Sequence, residues 1–260
     1  MNLKDEVVVV TGASRGIGRA ISVAFAGEGA RIALAARSKA ELEETERQVT
    51  AAGGRCLVVP TDLTKAEDIE AMVATARKAF GPIDVLVNNA GIAGPTANCE
   101  DVKPDDWDST FAVNVRAPFL CCRAVLAEMK RRRKGRIINI GSMSGKRPLA
   151  QRTPYTAGKM AIVGLTRTLA WEVGEYGITV NTISPGPVAG PRIEAVLANM
   201  AKASGKPRDE VAFDAFLRHS ALRRFVDAGD VARMAVFLAS EGGRNMTGQD
   251  INVTAGLVLY

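Results

Sequence analysis

Tyr155 and Lys159 stand four residues apart in Tyr155-Thr156-Ala157-Gly158-Lys159, a spacing that puts a phenol and an ammonium on one face of a helix. A free phenol, with a pKa of about 10, is a poor acid or base at neutral pH, but a cation within about 4–6 Å favours phenolate and pulls that value down. The pair can therefore act as a proton-transfer device. Its surroundings read as helical: Thr153-Pro154 as cap and first turn, then Ala161, Ile162, Leu165 and Leu169 at helical spacing. The same spacing also arises by chance, as a half-buried ring beside a snorkelling lysine. The rest of the chain has to decide.

Composition narrows the chemistry. Among 260 residues there is one histidine, His219, which leaves little material for a Ser-His-Asp triad or a multi-histidine metal site. The four cysteines, Cys56, Cys99, Cys121 and Cys122, form no C-x-x-C pair and are expected to be reduced and structural, so no metal is expected. Acid–base work near pH 7 then falls to a tyrosine, lysine or carboxylate. The length and 47% hydrophobic content suit a single α/β domain, and no Pro/Gly/Ser-rich linker divides it. The start is too short and too charged for a signal peptide, and no apolar run approaches about 18 residues. A cytoplasmic protein with no membrane partner is expected. The net charge of +6 suits anionic ligands such as phosphates.

Those residues need a frame, and the first half supplies a nucleotide cradle. Val7-Val8-Val9-Val10 reads as a parallel strand buried on both faces. It runs into Thr11-Gly12-Ala13-Ser14-Arg15-Gly16-Ile17-Gly18 and then the helical pattern of Ile21 and Phe25. In that order, glycines let backbone approach a pyrophosphate while the helix N-terminus supplies amides and positive dipole. Gly12, Ser14, Arg15, Gly16, Ile17 and Gly18 are the candidate contacts. The next strand, Arg31 to Ala36, ends where an NAD-selecting fold places an acid on the ribose. Arg37 and Ser38 stand there instead, and with Arg15 they suit a 2′-phosphate, favouring NADP(H) and leaving NAD(H) as the second option.

A helix from about Lys39 to Ala52 and a strand Arg55 to Pro60 lead to Thr61-Asp62-Leu63. Asp62 at the strand's carboxyl end could accept from an adenine amine, with Leu63 beside it, or Asp62 or Thr64 could cap the helix Ala66 to Phe80. The strand Ile83 to Val87 closes on Asn88-Asn89-Ala90-Gly91, small and hydrogen-bonding residues that let backbone pass close to a ligand.

The chain resembles the classical short-chain dehydrogenase/reductase family, and within it members of the 3-oxoacyl-ACP reductase kind. The similarity runs from about Glu6 to Val253 through motifs in the family's order: the turn Thr11 to Gly18, N-N-A-G at Asn88 to Gly91, and Y-x-x-x-K at Tyr155 to Lys159. It implies a Rossmann-like, doubly wound parallel sheet of about seven strands with helices on both faces, in one domain. Asn88, Ala90 and Gly91 become cofactor contacts by that resemblance.

In the second half, Pro104 to about Arg133 reads as one long helix with Asn114 in its middle. A polar amide there is commonly structural; the resemblance makes it the asparagine that holds a water linking the lysine to solvent. The basic run Lys130 to Lys134 complements the helix dipole, with an acidic carrier protein as a less favoured partner. Without interleaved aromatics, nucleic acid is not expected. After the strand Gly135 to Gly141, Ser142 falls thirteen residues before Tyr155, and the resemblance makes it the catalytic serine. By the same resemblance Asn114, Ser142, Tyr155 and Lys159 form the catalytic set, Lys159 also holds the nicotinamide ribose, and Pro185, Gly186 and Val188 form the turn beneath the nicotinamide.

The implied reaction moves a hydride between NADP(H) and a carbonyl/alcohol pair, with Ser142 on the substrate oxygen and Tyr155 exchanging its proton. Bringing a phenol to titrate near pH 7 takes a shift of about three units, or roughly 4 kcal/mol. The alternatives are a 3-oxoacyl-thioester reductase, an NAD-dependent polyol or sugar-alcohol dehydrogenase, and a nucleotide-sensing protein without turnover. The stretch at about 190–226 reads as a helical substrate lid or a satellite core element, with His219 on its surface or in its packing. Two departures from the family stand out: Ala189-Gly190-Pro191 lacks a threonine that many relatives have, and Val253-Thr254-Ala255-Gly256 replaces V-D-G-G. The resemblance implies a homo-oligomer, tetramer or dimer, acting on a small molecule.

Overall fold

The computed structural model describes residues 2–260, apart from the side chains of residues 192 and 203. Its sheet grows from the apolar runs. β1 (Val7–Thr11) is buried along its whole length, as a strand covered on both faces must be. It is followed by α1 (Gly16–Gly27), β2 (Arg31–Ala36), α2 (Lys39–Ala51), β3 (Arg55–Pro60), α3 (Ala66–Phe80) and β4 (Val85–Asn88). The second half adds α4 (Pro104–Phe111), α5 (Ala117–Arg132), β5 (Gly135–Ile140), α6 (Thr153–Val173), β6 (Ile178–Pro185), α7 (Pro191–Ser204), α8 (Arg208–Ala215), α9 (Ala228–Ala239) and β7 (Asp250–Val253).

The seven strands lie in the order β3-β2-β1-β4-β5-β6-β7, every pair parallel. The strand order reverses between β1 and β4, and in such sheets ligands bind in the crevice beyond the strands' carboxyl ends at that point. One apolar layer packs α1, α2 and α9 on one face, around Ile21, Phe25, Leu42 and Val231. The other packs α3, α5 and α6, around Ile69, Met72, Val125 and Leu169. A third, small cluster of Ile193, Leu197, Val211 and Ala212 joins α7 to α8 apart from the main core.

Several expectations need correction. Pro104 to Arg132 is not one regular helix: residues Ala112–Arg116 form a π turn between α4 and α5, with Asn114 buried in it. Such a wide turn redirects one side chain without ending the helix. This 29-residue helical stretch is also long and apolar enough to cross a membrane, with a mean hydropathy of 1.3 in its most apolar 18-residue window. Interruption by charges hid that from a search for unbroken apolar runs, and its inner residues Leu120, Cys121, Val125 and Met129 belong to the core. Arg152, not Thr153, is the N-cap of α6, and Thr153 is already helical. Lys65, rather than Asp62 or Thr64, occupies the N-cap of α3.

The basic run is knitted into its own subunit. Arg132 and Lys134 both reach Asp84, Lys134 also bonds Glu6 at 2.8 Å, and Arg131 pairs with Glu128. Lys130 lies 5.0 Å above the Tyr176 ring, while Arg133 bonds the Glu175 carbonyl. These contacts tie the end of α5 to the amino ends of β1 and β4 and to the turn before β6.

Candidate active site

At the end of β1, Gly12 has φ +64°, and a Cβ there would lie 2.8 Å from Ala90 Cα. A Cβ on Gly18 would lie 2.1 Å from the Gly12 carbonyl oxygen. Only glycine lets the turn, the start of α1 and the end of β4 approach this closely. Asn89 ties the end of β4 to the turn: its side-chain amide donates to the Thr11 and Gly12 carbonyls at 2.9 and 3.0 Å. Thr11 Oγ1 in turn accepts from the backbone amides of Asn89 and Ala90. From below, Thr45 of α2 donates to the Ala13 carbonyl at 2.9 Å, and Arg19 reaches both Thr45 and the Ser14 carbonyl.

This cradle fits a dinucleotide: backbone and a helix N-terminus line it, and side chains are excluded from its floor. Ser14 is buried in the turn, Arg15 is exposed at the α1 N-cap, and Gly16 has φ +56°. Arg15 lies 3.7 Å from Glu41 of α2, and Arg37 is exposed at the end of β2. The Asp62 carboxylate accepts the Thr64 amide and hydroxyl at 3.0 and 2.8 Å. Those bonds, helped by Lys65 and Arg37, hold its pKa below the usual carboxylate value. Ile17 is half-buried against the α1 core, while Leu63 turns its side chain into the α3 core, leaving only its backbone to the crevice.

Asn88 is buried at the end of β4. Its side chain donates to Asn139 Oδ1 at 2.9 Å and to Cys122 Sγ at 3.4 Å, so it braces β4 against β5 and α5 rather than facing the crevice. The buried chain continues from Asn139 to Thr166 of α6 and Thr182 of β6. Burial pushes the Cys122 thiol up to about 12, which keeps it protonated and inert. Ala90 and Gly91 follow the end of β4.

Beyond β4 the catalytic candidates converge. Asn114, 1% exposed, exchanges two hydrogen bonds of 2.9 Å with the backbone of Ile92. The Lys159 ammonium is buried and donates to the Ile140 carbonyl at 2.8 Å, at the end of β5. Both close on Gly91, where a Cβ would sit 3.2 Å from Asn114 Oδ1 and 3.4 Å from Lys159 Nζ. Gly158 of α6 faces the π turn, where a Cβ would sit 3.5 Å from Asn114 Cβ and Val115 Cγ2, in ordinary contact. Lys159 Nζ lies 5.8 Å from the centre of the Tyr155 ring, and the Arg152 guanidinium carbon 5.7 Å from it. Arg152 also donates to Thr96 Oγ1 at 2.6 Å.

Ser142 follows β5. Its Oγ accepts from the Ser144 amide and hydroxyl at 3.1 and 3.0 Å. Just past the next strand, Gly186 must be glycine because a Cβ would sit 2.9 Å from Thr254 Cα. Pro185 ends β6, and Val188 bridges to Val226, whose amide bonds the Pro187 carbonyl. His219 is exposed beyond α8, as a surface residue.

Sequence reasoning left out Thr11, Asn89, Ser144 and Arg152. Asn89 stood inside the quoted N-N-A-G and Ser144 two residues from Ser142, so spacing alone could have raised both. Arg152 had no such signal, because its approach to Tyr155 depends on the irregular loop before α6.

The sequence pattern of the short chain dehydrogenase family matches residues 6–201. The D-beta-hydroxybutyrate dehydrogenase of Cupriavidus necator is 35% identical over 256 residues, 98% of this chain and 99% of that protein. The 3-oxoacyl-[acyl-carrier-protein] reductase of Staphylococcus epidermidis is 33% identical over 98% of this chain and 100% of its own. A crystal structure of NAD+-bound xylitol dehydrogenase superimposes with a TM-score of 0.92 at 31% identity, covering 98% of this chain and 100% of that one. With these matches and the glycine-lined turn after β1, the chain belongs to the short-chain dehydrogenase/reductase family, NAD(P)-binding oxidoreductases of alcohols and ketones.

Proposed function

We propose that this chain moves a hydride between NADP(H) and a carbonyl/secondary-alcohol pair, with Tyr155 as the acid–base group. The reading is carried by the two cations, Lys159 and Arg152, that lie 5.8 and 5.7 Å from the centre of the Tyr155 ring. Two positive charges beside the ring favour the phenolate. In reduction Tyr155 gives its proton to the substrate oxygen, and in oxidation the phenolate takes one back. Because Ser142 Oγ accepts two bonds from Ser144, its own proton is directed to the substrate oxygen. The nicotinamide supplies or receives the hydride when the cofactor is bound.

Gly12, Ser14, Arg15, Gly16, Ile17 and Gly18 would hold the phosphates, and Asp62 the adenine. Ala90, Gly91, Lys159, Pro185, Gly186 and Val188 would hold the nicotinamide end. NADP is favoured over NAD because Arg15 and Arg37 are both exposed where a 2′-phosphate would lie. The Arg15–Glu41 pair supports NAD as the second reading. The substrate is a small ketone or alcohol rather than a carrier-bound thioester, since the basic run that would greet an acidic carrier is engaged within the chain. Helices α7 and α8 act as the substrate lid. The exposed Phe119, Met160 and Trp171 on α5 and α6 support a homo-oligomer built on those helices.

The test is a screen of aldehydes, ketones and alcohols, followed at the reduced-nicotinamide absorbance with NADP and NAD in parallel. Faster turnover with NADP supports the reading. Faster turnover with NAD overturns the cofactor assignment, and no turnover with either overturns the function.

A further inference from the structure

Lys146 and Asp250 form an ion pair of 3.0 Å whose side chains are only 13% and 5% exposed. The pair is not part of the catalytic cluster, yet each end of it is fastened to a turn of the site. Lys146 closes the short turn that begins at Ser142: its amide donates to the Met143 carbonyl at 2.9 Å, directly behind the Ser142–Ser144 bonds. Asp250, at the start of β7, uses its other oxygen to accept from Ser184 Oγ at 2.6 Å. Ser184 immediately precedes Pro185-Gly186. Lys146 Nζ adds bonds to the Asp250 carbonyl at 3.1 Å and to Asn252 Oδ1 at 2.7 Å. The chain's last residue completes the arrangement, Tyr260 donating its hydroxyl to the Lys146 carbonyl at 2.9 Å and accepting from Asn252.

A buried pair of opposite charges contributes little net stability compared with apolar packing, but it fixes geometry strongly, because neither charge tolerates losing its partner. Here one carboxylate holds two turns at once. We propose that Lys146 and Asp250 are positioning residues that set the spacing between the Ser142 turn, where the substrate oxygen binds, and the Pro185-Gly186 turn, where the nicotinamide binds. This rests on the hydride-transfer reading for its consequence, though not for its geometry. A misplacement of about 1 Å between reacting groups costs roughly a hundredfold in rate, so loosening the pair acts on kcat rather than on cofactor binding.

The experiment uses the full chain with Lys146→Met, Asp250→Asn and Lys146→Arg, checked for cooperative melting. Hydrogen exchange, which needs no substrate, is read over residues 142–147 and 184–189, with β1 as the internal standard. Ethyl acetoacetate serves as the probe ketone, and NADPH and NADH affinities are read by fluorescence. Exchange at both turns is expected to rise about tenfold in the first two variants. In the same variants kcat is expected to fall at least about tenfold, with cofactor affinity unchanged and Lys146→Arg recovering most of the loss. Unchanged exchange at both turns overturns the proposal, and so does raised exchange with unchanged kcat. If the first two variants do not fold, Ser184→Ala decides: raised exchange over 184–189 alone supports the link, and none overturns it. A wild-type protein inert toward every probe would count against the hydride-transfer reading, while exchange still decides the clamp.

Discussion

Asn114 and Ile92 exchange two hydrogen bonds of 2.9 Å, the side-chain amide of one satisfying both backbone groups of the other. The asparagine thereby fixes the loop after β4 against the π turn, on the wall that also carries Lys159. Asn114→Ala leaves two backbone groups unpaired in a buried site, a cost of about 1–3 kcal/mol. A lower melting temperature and a fall in turnover are expected together. Retained melting temperature and retained turnover would show that the loop is held by something else.

The resemblance placed Asn114 in the site as the holder of a water but gave no sign of its bonds to Ile92, because a contact across 22 residues depends on how the helix widens at Ala112–Arg116. The strands were legible for a simpler reason. Val7 to Val10 and Ile32 to Ala36 are unbroken apolar runs, and parallel strands buried on both faces require that. The direction of the Asn88 side chain was not legible: at the end of a strand successive residues face opposite ways, so of two adjacent asparagines only the Asn89 side chain reaches the glycine turn. Helices α7 and α8 were readable as amphipathic segments forming either a lid or a satellite core element, but which residues make up their separate cluster around Leu197 was not, since it pairs residues from two helices.

Asp84 should govern part of the acid stability. Burial pushes its pKa up, but the Val7 amide, Arg132 and Lys134 outweigh that and hold it below the usual 3.8. A depressed carboxylate stabilises the fold above its unfolded pKa and loses that contribution as pH falls through the folded value. Asp84→Asn is expected to cost about 3 kcal/mol at pH 7, because two cations lose their partner. Denaturant unfolding at pH 7 and pH 3 checks the sign: the gap between wild type and variant should narrow at the lower pH.

Ala255, in the stretch that departs from the V-D-G-G the resemblance leads one to expect, has φ +54°. A left-handed alanine is strained. Ala255→Gly is expected to raise stability or leave it level, by at most about 1 kcal/mol, since the relief of strain is partly offset by the greater freedom of an unfolded glycine. Thermal melting reads it. A clear loss of stability would mean that the methyl group packs usefully.

Arg37→Asp tests the cofactor assignment. Replacing the guanidinium at the end of β2 with a carboxylate should repel a 2′-phosphate and accept a ribose hydroxyl. The KM for NADP should rise by about tenfold or more while that for NAD falls. Parallel steady-state kinetics with the two cofactors supply the comparison, and an unaltered preference would remove Arg37 from the specificity argument.

The most direct measurement is turnover and cofactor binding by Tyr155→Phe, which removes one oxygen from a ring that Lys159 and Arg152 both approach. Loss of turnover by about a hundredfold or more, with NADPH binding kept, is the result expected of an acid–base tyrosine. Turnover surviving at the wild-type level would contradict the assignment.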